Sequence, residues 1–87
     1  MSLTFPNQSR SYDESNRRIR FSGYDGMFEM KFFLELDALA KIYSGPLTGE
    51  REYLSAFDNA RKKILGAAEK AYGRGQKRIC TLTLSDF

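Results

Sequence analysis

The sequence contains no histidine and no tryptophan, and Cys80 is its single cysteine. The absence of histidine removes the side chain that most often binds metals and acts as a general base near neutral pH. A single cysteine forms neither a disulfide within the chain nor the thiolate pair of a typical zinc site. We therefore expect no metal site, no cofactor and no internal disulfide.

Long apolar runs are missing too. No stretch of the chain approaches the roughly 20 apolar residues that a membrane span requires. Residues 1–6 lack the charged segment and the apolar run of a signal peptide. Because the chain also has only one cysteine, the sequence predicts a cytoplasmic protein that does not act at a membrane.

Groups suited to acid–base or covalent catalysis are equally scarce. Asp13 and Glu14 are adjacent in an expected turn, and neighbouring strand residues point to opposite faces, so they form a poor catalytic pair. Cys80 lies in an expected strand, with no histidine to activate its thiol. The glycines form no phosphate-binding loop ahead of a helix. We predict a protein that is not an enzyme and has no catalytic residues.

The chain is long enough for one small domain. It has 87 residues and a net charge of +3, and we expect a single compact domain over residues 1–87. Such a domain buries only about 60 to 65 % of the surface of its unfolded chain, so its core is thin. Small domains gain stability from disulfides, metals or oligomerisation, and only oligomerisation is expected here. The weak positive charge slightly favours an anionic partner.

The most informative pattern is Asp25-Gly26, which has alternating apolar and polar residues on both sides. It predicts a hairpin from Arg17 to Leu34 in which Asp25-Gly26 is a two-residue turn. A shift of one residue would exchange the two faces, so the turn and the alternation support one register. The expected pairs are Tyr24 with Met27, Gly23 with Phe28, Ser22 with Glu29, Phe21 with Met30, Arg20 with Lys31, Ile19 with Phe32 and Arg18 with Phe33.

Short strands are expected before the hairpin, at residues 3–5 and Arg10–Asp13, and a final strand at residues 78–84. The apolar period changes between the hairpin and this last strand. Leu36 and Leu39 share one face of a helix of about two turns. A second helix, with Thr48 as its N-cap, is expected over residues 49–72 and would be roughly 35 Å long. Its expected apolar stripe is Tyr53, Phe57, Ala60, Ile64, Ala67 and Ala71.

The order of strands, two helices and a final strand predicts an α+β domain. We expect a small antiparallel sheet of about four to five strands with the hairpin at its centre. A short and a long helix pack on one face of this sheet, and the C-terminal strand returns to it. Either edge of the hairpin is open to that last strand.

Several short segments form a further pattern over nearly the whole chain. They resemble, in this order, a family of small bacterial proteins catalogued as domain of unknown function 1488. The resemblance implies a compact α+β module in the bacterial cytoplasm, and it implies no catalytic residues because the family has no established activity. The segments are Phe5-Pro6-Asn7, Ser11-Tyr12-Asp13, Ile19-Arg20-Phe21, Gly23-Tyr24-Asp25, Phe32-Phe33 with Glu35, Asp37-Ala38-Leu39, Phe57-Asp58 with Arg61, Tyr72 with Arg74-Gly75, and Leu82-Thr83 with Asp86-Phe87.

The polar face of the hairpin is the main candidate for an interaction site. It combines cations with rings, which suits single-stranded nucleic acid, because phosphates attract cations and bases stack on aromatic side chains. In the expected register Arg20 lies opposite Lys31, and these like charges repel unless an anion or Glu29 is near. An ordinary solvated sheet face would also explain the charges. The candidate face comprises Arg18, Arg20, Tyr24, Met27, Lys31 and Phe33.

A second basic cluster follows the long helix. Arg74, Lys77 and Arg78 lie just beyond its expected end. Cations near a helix C-terminus interact favourably with the helix dipole. A structural role is therefore sufficient to explain this cluster.

Two hypotheses from different classes follow. The first is a non-enzymatic interaction module that self-associates as a homodimer or binds another protein, because Tyr24, Met27 and Phe33 leave apolar surface on the outer sheet face. The second is a nucleic-acid-binding regulatory module that uses the candidate face and the second basic cluster. Salt-dependent binding of nucleic acid would separate the two.

Overall fold

A computed structural model describes residues 3–75 and 79–87 of the chain. These residues form a five-stranded sheet and three helices, in agreement with the expected α+β class. Short 3-10 turns lie at Glu14–Asn16 and Leu84–Asp86. The strands are β1 (Leu3–Thr4), β2 (Arg10–Asp13), β3 (Arg18–Asp25), β4 (Phe28–Glu35) and β5 (Ile79–Leu82), and the helices are α1 (Leu36–Ile42), α2 (Glu50–Asn59) and α3 (Arg61–Gly75).

The central hairpin is present, but its register differs from the prediction by two residues. Asp25 pairs with Phe28, so the turn consists of Gly26 and Met27 rather than Asp25 and Gly26. Gly26 has a φ of +64° and Met27 has no positive φ, as in a type II′ turn with glycine at its first central position. Because side chains alternate with a period of two, this shift preserves both faces of the hairpin.

The observed register changes which charges face each other. Arg20 lies opposite Phe33 and Lys31 lies opposite Ser22, so the predicted pair of like charges is wrong. The glycine also changes partner, because Gly23 lies opposite Met30. The other pairs between β3 and β4 are Arg18 with Glu35, Ile19 with Leu34, Phe21 with Phe32, and Tyr24 with Glu29.

The inner face of the hairpin builds the core, as the alternation predicts. Ile19, Phe32 and Leu34 are fully buried. Phe21 stacks on Phe32 with ring centroids 5.4 Å apart, and it meets the Phe57 ring of α2 edge-on at 5.1 Å. The helices supply the facing side of this core through Leu36, Ala38, Leu39, Ala56, Phe57, Ile64, Ala68 and Tyr72.

The expected long helix is divided into two, so the prediction of one continuous helix is wrong. α2 ends at Asn59 and α3 begins at Arg61, with Ala60 between them at φ −103° and ψ 12°. The Asn59 side-chain amide donates to the Ser55 carbonyl at 3.0 Å, which competes with the backbone bond of a continuing helix. Gly66 lies inside α3 and does not end it.

Helix details also differ from the sequence pattern, although α1 is present where it was expected. Gly49 rather than Thr48 is the N-cap of α2, and the Thr48 hydroxyl instead donates to the Glu52 carboxylate at 3.3 Å. In α3, Ala68 is fully buried, whereas Ala67 of the expected stripe is only partly buried, because the division restarts the helix on a new face. Among the described residues, no helix is long and apolar enough to cross a membrane.

β5 lies parallel to β4, so the sheet is mixed rather than wholly antiparallel. The three helices carry the chain back to the end of the sheet where β4 begins, and a parallel pair requires such a crossover. β5 ends at Leu82 rather than Leu84, because Thr83 and Asp86 form a capping box in which the Thr83 amide donates to the Asp86 carboxylate at 2.8 Å. The expected start of the strand at Arg78 lies outside the described residues.

The opposite edge of the sheet is formed by two strands placed end to end along β3. β1 pairs with the end of β3 at Tyr24, and β2 pairs with its beginning as far as Phe21, so Ser22 and Gly23 lie at a gap. The Phe5 ring covers this gap, and a Cβ on Gly23 would lie 2.7 Å from it. This close approach explains the glycine that interrupts the apolar face of the hairpin.

Candidate functional site

The outer face of the sheet holds most of the predicted interaction face. Met27 is the exception, because the observed turn places it at the tip of the hairpin, where its side chain is 94 % exposed. The alternation along β3 and β4 brings the others together on one surface. They are Arg18, Arg20, Tyr24, Lys31 and Phe33.

Arg18 is held by contacts within the chain. Its Nε donates to Asp13 Oδ2 at 3.1 Å, and its guanidinium carbon lies 3.7 Å from the centre of the Phe33 ring. The hydrogen bond from the Asn16 amide, followed by that from Arg18, holds the pKa of the Asp13 carboxyl below its ordinary value, although burial opposes them. Arg18 and the ring face of Phe33 are therefore poorly placed to receive a phosphate or a base.

Positive and negative charges are balanced across the outer face. Proteins that bind nucleic acids gain much of their affinity by replacing counterions along the phosphates, which requires a surplus of positive charge. The described residues of this face carry no such surplus. The cations Arg18, Arg20 and Lys31 share the face with the carboxylates Asp13, Glu29 and Glu35.

Two cations of this face remain available for a ligand. Among the described residues, Arg20 and Lys31 have no carboxylate within ion-pair distance. Both line an open groove of about 480 Å³ beside the gap between β1 and β2, and Glu29 lines it as well. Positive charge, hydroxyl groups and free space therefore coincide in this groove.

The sequence analysis named Met27 but missed two further exposed apolar side chains at the same end of the sheet, Phe28 and Ile79. Met27, Phe28 and Ile79, which we name the tip cluster, are 94 %, 58 % and 60 % exposed. Ile79 lies beside Lys31, at the same end of β4 as the hairpin turn. Alternation cannot reveal this cluster, because the position of Ile79 depends on which edge of the hairpin accepts β5.

The second basic cluster is only partly within the described residues. Arg74 is exposed, and its guanidinium donates to the Asp86 carboxylate at 3.1 Å. Lys77 and Arg78 lie outside the described residues. Through this contact Arg74 joins α3 to the C-terminal turn.

The remaining candidate groups for chemistry have structural contacts. The Tyr72 hydroxyl donates to Asp25 Oδ2 at 2.5 Å, and this hydrogen bond, with burial and the negative charge of Asp25, raises the pKa of the Tyr72 phenol. Asp25 therefore ties α3 to the hairpin instead of forming its turn. Cys80 is half-buried on the inner face beside Phe32. In the described ranges, no group of three or more His, Cys, Asp or Glu side chains is placed to hold a metal ion.

Comparisons with known proteins agree with this fold. A crystal structure described as a protein of unknown function from the DUF1488 family of Shewanella loihica matches with a TM-score of 0.83 and 18 % sequence identity, covering 93 % of this chain and 91 % of that chain. At this identity the likeness shows the fold alone. No curated protein matches the chain. The family model of DUF1488, described as a protein of unknown function, matches residues 3–84. The resemblance found in the sequence is thereby confirmed, and the chain belongs to the DUF1488 family.

Proposed function

We propose that this protein is a non-enzymatic interaction module that self-associates through the end of the sheet that carries the tip cluster. The observation that carries the proposal is the exposure of Met27 and Ile79, at 94 % and 60 %, on a domain with a thin core. Exposed apolar groups gathered at one end of a small protein commonly mark an interface. Burying them against a second copy removes this surface from water.

The edge of β5 supports a second copy as the partner. β5 is the edge strand of the described sheet and lies beside β4. An exposed strand edge presents unpaired N–H and C=O groups that can pair with a strand of another chain. Two copies related by a two-fold axis would satisfy this edge symmetrically, which is the commonest arrangement in homodimers.

Sedimentation equilibrium tests the proposal directly. We expect the unmodified protein to form dimers at high micromolar concentration and the double variant Met27→Lys, Ile79→Lys to be monomeric, because two charges would then be buried at the interface. The matched control is Leu84→Lys, since Leu84 is also exposed, at 47 %, but lies outside the tip cluster. A monomeric unmodified protein, or a double variant that still dimerises, would contradict the proposal.

The alternative function is nucleic-acid binding. The observation in its favour is that Arg20 and Lys31 have no ion-pair partner among the described residues. Replacing both by glutamine should then lower affinity for all sequences equally and flatten the salt dependence of binding between about 50 and 200 mM. No binding to DNA or RNA at the lowest salt would eliminate this alternative.

A further inference from the structure

The gap between β1 and β2 leaves the edge of β3 without a paired strand at Ser22 and Gly23. In a hairpin with a two-residue turn the closing pair is hydrogen-bonded, so the peptide groups of successive residues point to alternate sides. The Arg17 carbonyl accepts a bond from the Leu36 amide, on the β4 side. The Tyr24 carbonyl accepts a bond from the Thr4 hydroxyl, on the β1 side. By this alternation, Arg10 and Phe21 form a non-hydrogen-bonded pair, which places the Ser22 N–H against the Ser9 carbonyl. The Ser9 N–H donates to Asn7 Oδ1 instead, so the Ser22 C=O lies at the gap.

An open groove of about 480 Å³ lies at this gap. Its size is within the range of about 300 to 1,000 Å³ that is typical of sites for small ligands. Most of the residues that line it carry a hydroxyl group or a charge. The polar lining residues are Ser9, Arg10, Ser11, Arg20, Ser22, Glu29 and Lys31.

Two of the three cations in the groove are available. The guanidinium of Arg10 makes two hydrogen bonds of 2.9 Å to the Asp58 carboxylate, so it is already paired. Arg20 and Lys31 are diagonal neighbours across the ladder of β3 and β4. Diagonal neighbours lie roughly 7 to 8 Å apart, a distance that long side chains span, so both cations can reach one anion.

The geometry points to a binding site in this groove for the phosphate group of a small phosphate monoester. Arg20 and Lys31 would neutralise the phosphate, and the guanidinium fork of Arg20 matches two of its oxygens. The hydroxyls of Ser9, Ser11 and Ser22 would donate to the remaining oxygens. A phosphate offers three strong acceptor oxygens and a carboxylate only two, so the phosphate makes better use of donors on several sides.

Glu29 provides an internal check on this site. Its carboxylate lines the same groove, so it repels a bound anion and lowers the affinity. Removal of its charge should therefore strengthen binding, whereas removal of either cation should weaken it. The site does not include the tip cluster, so phosphate binding and self-association can be tested independently.

The test is an NMR titration of the full chain with inorganic phosphate and with phosphoserine, at constant ionic strength. We expect saturable shifts of the backbone amides of residues 9–11, 20–22 and 29–31. Sodium chloride added in place of phosphate serves as the control for general screening of charge. Shifts that do not saturate, or that are spread over the basic surface, would overturn the proposal.

Variants give the second part of the test. Arg20→Gln and Lys31→Gln should each weaken phosphate binding about tenfold, as expected for a charge-assisted hydrogen bond. Glu29→Gln should tighten it about threefold, and Arg51→Gln, which removes an exposed cation of α2 outside the groove, should leave it unchanged. The proposal fails if Arg51→Gln has the effect of Arg20→Gln, or if Glu29→Gln weakens binding.

A titration with an oligonucleotide distinguishes a site for a small ligand from a site for nucleic acid. A single phosphate site should show a shallow salt dependence, because few counterions are released, whereas an extended nucleic-acid site shows a steep one. We expect a single-stranded oligonucleotide to bind no more tightly than phosphoserine. Tighter, steeply salt-dependent binding of the oligonucleotide would assign the groove to nucleic acid and overturn the small-ligand proposal.

Discussion

The two edges of the sheet are joined to the rest of the fold in different ways. The first edge is split between β1 and β2, and its side chains reach across to close it: Phe5 covers Gly23, and Arg10 binds Asp58 of α2. The second edge is the single strand β5, which pairs with β4 and places the fully buried Leu82 in the core. The first edge is closed by side chains except at a polar groove, and among the described residues the second edge is a single strand. We propose a small ligand at the first edge and a second copy of the chain at the other.

Side-chain contacts tie the first edge to the helices in several places. The Tyr12 ring of β2 meets the Tyr53 ring of α2 at 5.0 Å between centroids. The Asp58 carboxylate accepts hydrogen bonds from Arg10 at 2.9 Å and from Arg61 at 2.7 Å, at the junction of α2 and α3. We therefore expect the removal of any single contact at this edge to cost little stability. At the second edge we expect the largest single loss on removal of the Leu82 side chain.

The largest effect is expected at the second edge. Leu82→Ala removes the fully buried side chain that joins β5 to the core, and we expect a loss of about 3 kcal/mol in the free energy of unfolding. Urea denaturation measures this loss. The control is Ile79→Ala on the same strand, which should change stability by less than about 0.5 kcal/mol because Ile79 is exposed. Equal losses for the two variants would show that β5 does not depend on Leu82.

A smaller effect is expected where the first edge is closed. Gly23→Val should destabilise the fold by about 2 kcal/mol, because its side chain would overlap the Phe5 ring and crowd the Thr4 carbonyl. The matched experiment repeats the substitution in a Phe5→Ala background. There the cost of Gly23→Val should fall, since the ring is absent, and an unchanged cost would show that Phe5 does not require the glycine.

The smallest effect is expected at the charge network of the first edge. The hydrogen bond from Arg10, followed by that from Arg61, holds the pKa of the Asp58 carboxyl below its ordinary value, and burial opposes them. Asp58→Asn should cost about 1 kcal/mol near neutral pH, because the side chains are partly exposed and solvent screens the pairs.

The pH dependence of this effect has a definite sign. Because the pKa of Asp58 is lowered on folding, its contribution is complete above the ordinary value of 3.8 and is lost as the pH falls through the folded-state value. Denaturation of both proteins at neutral and acidic pH should show their stabilities converging in acid. A difference that stays constant with pH would assign the loss to packing rather than to charge.

Much of the fold was predictable because its rules are local. The period-two pattern places Ile19, Phe21 and Phe32 on the buried face, and it places Arg20 and Lys31 together on the outer face. The same period cannot distinguish registers that differ by two residues, so the predicted turn was wrong while both faces were right. For the candidate site, the pattern therefore predicted the shared surface but not the partners across it.

The errors in the helical part have a similar cause. Apolar spacing continues through Ala60, so the pattern favoured one long helix. The division depends on contacts at that point: Asn59 bonds to the Ser55 carbonyl, and Asp58 binds Arg10 and Arg61. The contact between Asp58 and Arg10 joins segments 48 residues apart, and the apolar spacing carries no information about any of these polar contacts.

The sequence by itself determined the family, the α+β class, the two faces of the hairpin and the absence of histidine chemistry. These properties depend on composition and on side-chain alternation, which are fixed along the chain. Only the tertiary structure decided that β5 lies parallel to β4 and that Arg18 contacts Asp13 and Phe33. It also decided that the gap at Ser22 lies beside Arg20 and Lys31. Each of these depends on which distant segments meet, because their burial and charge energies arise only once the chain has folded.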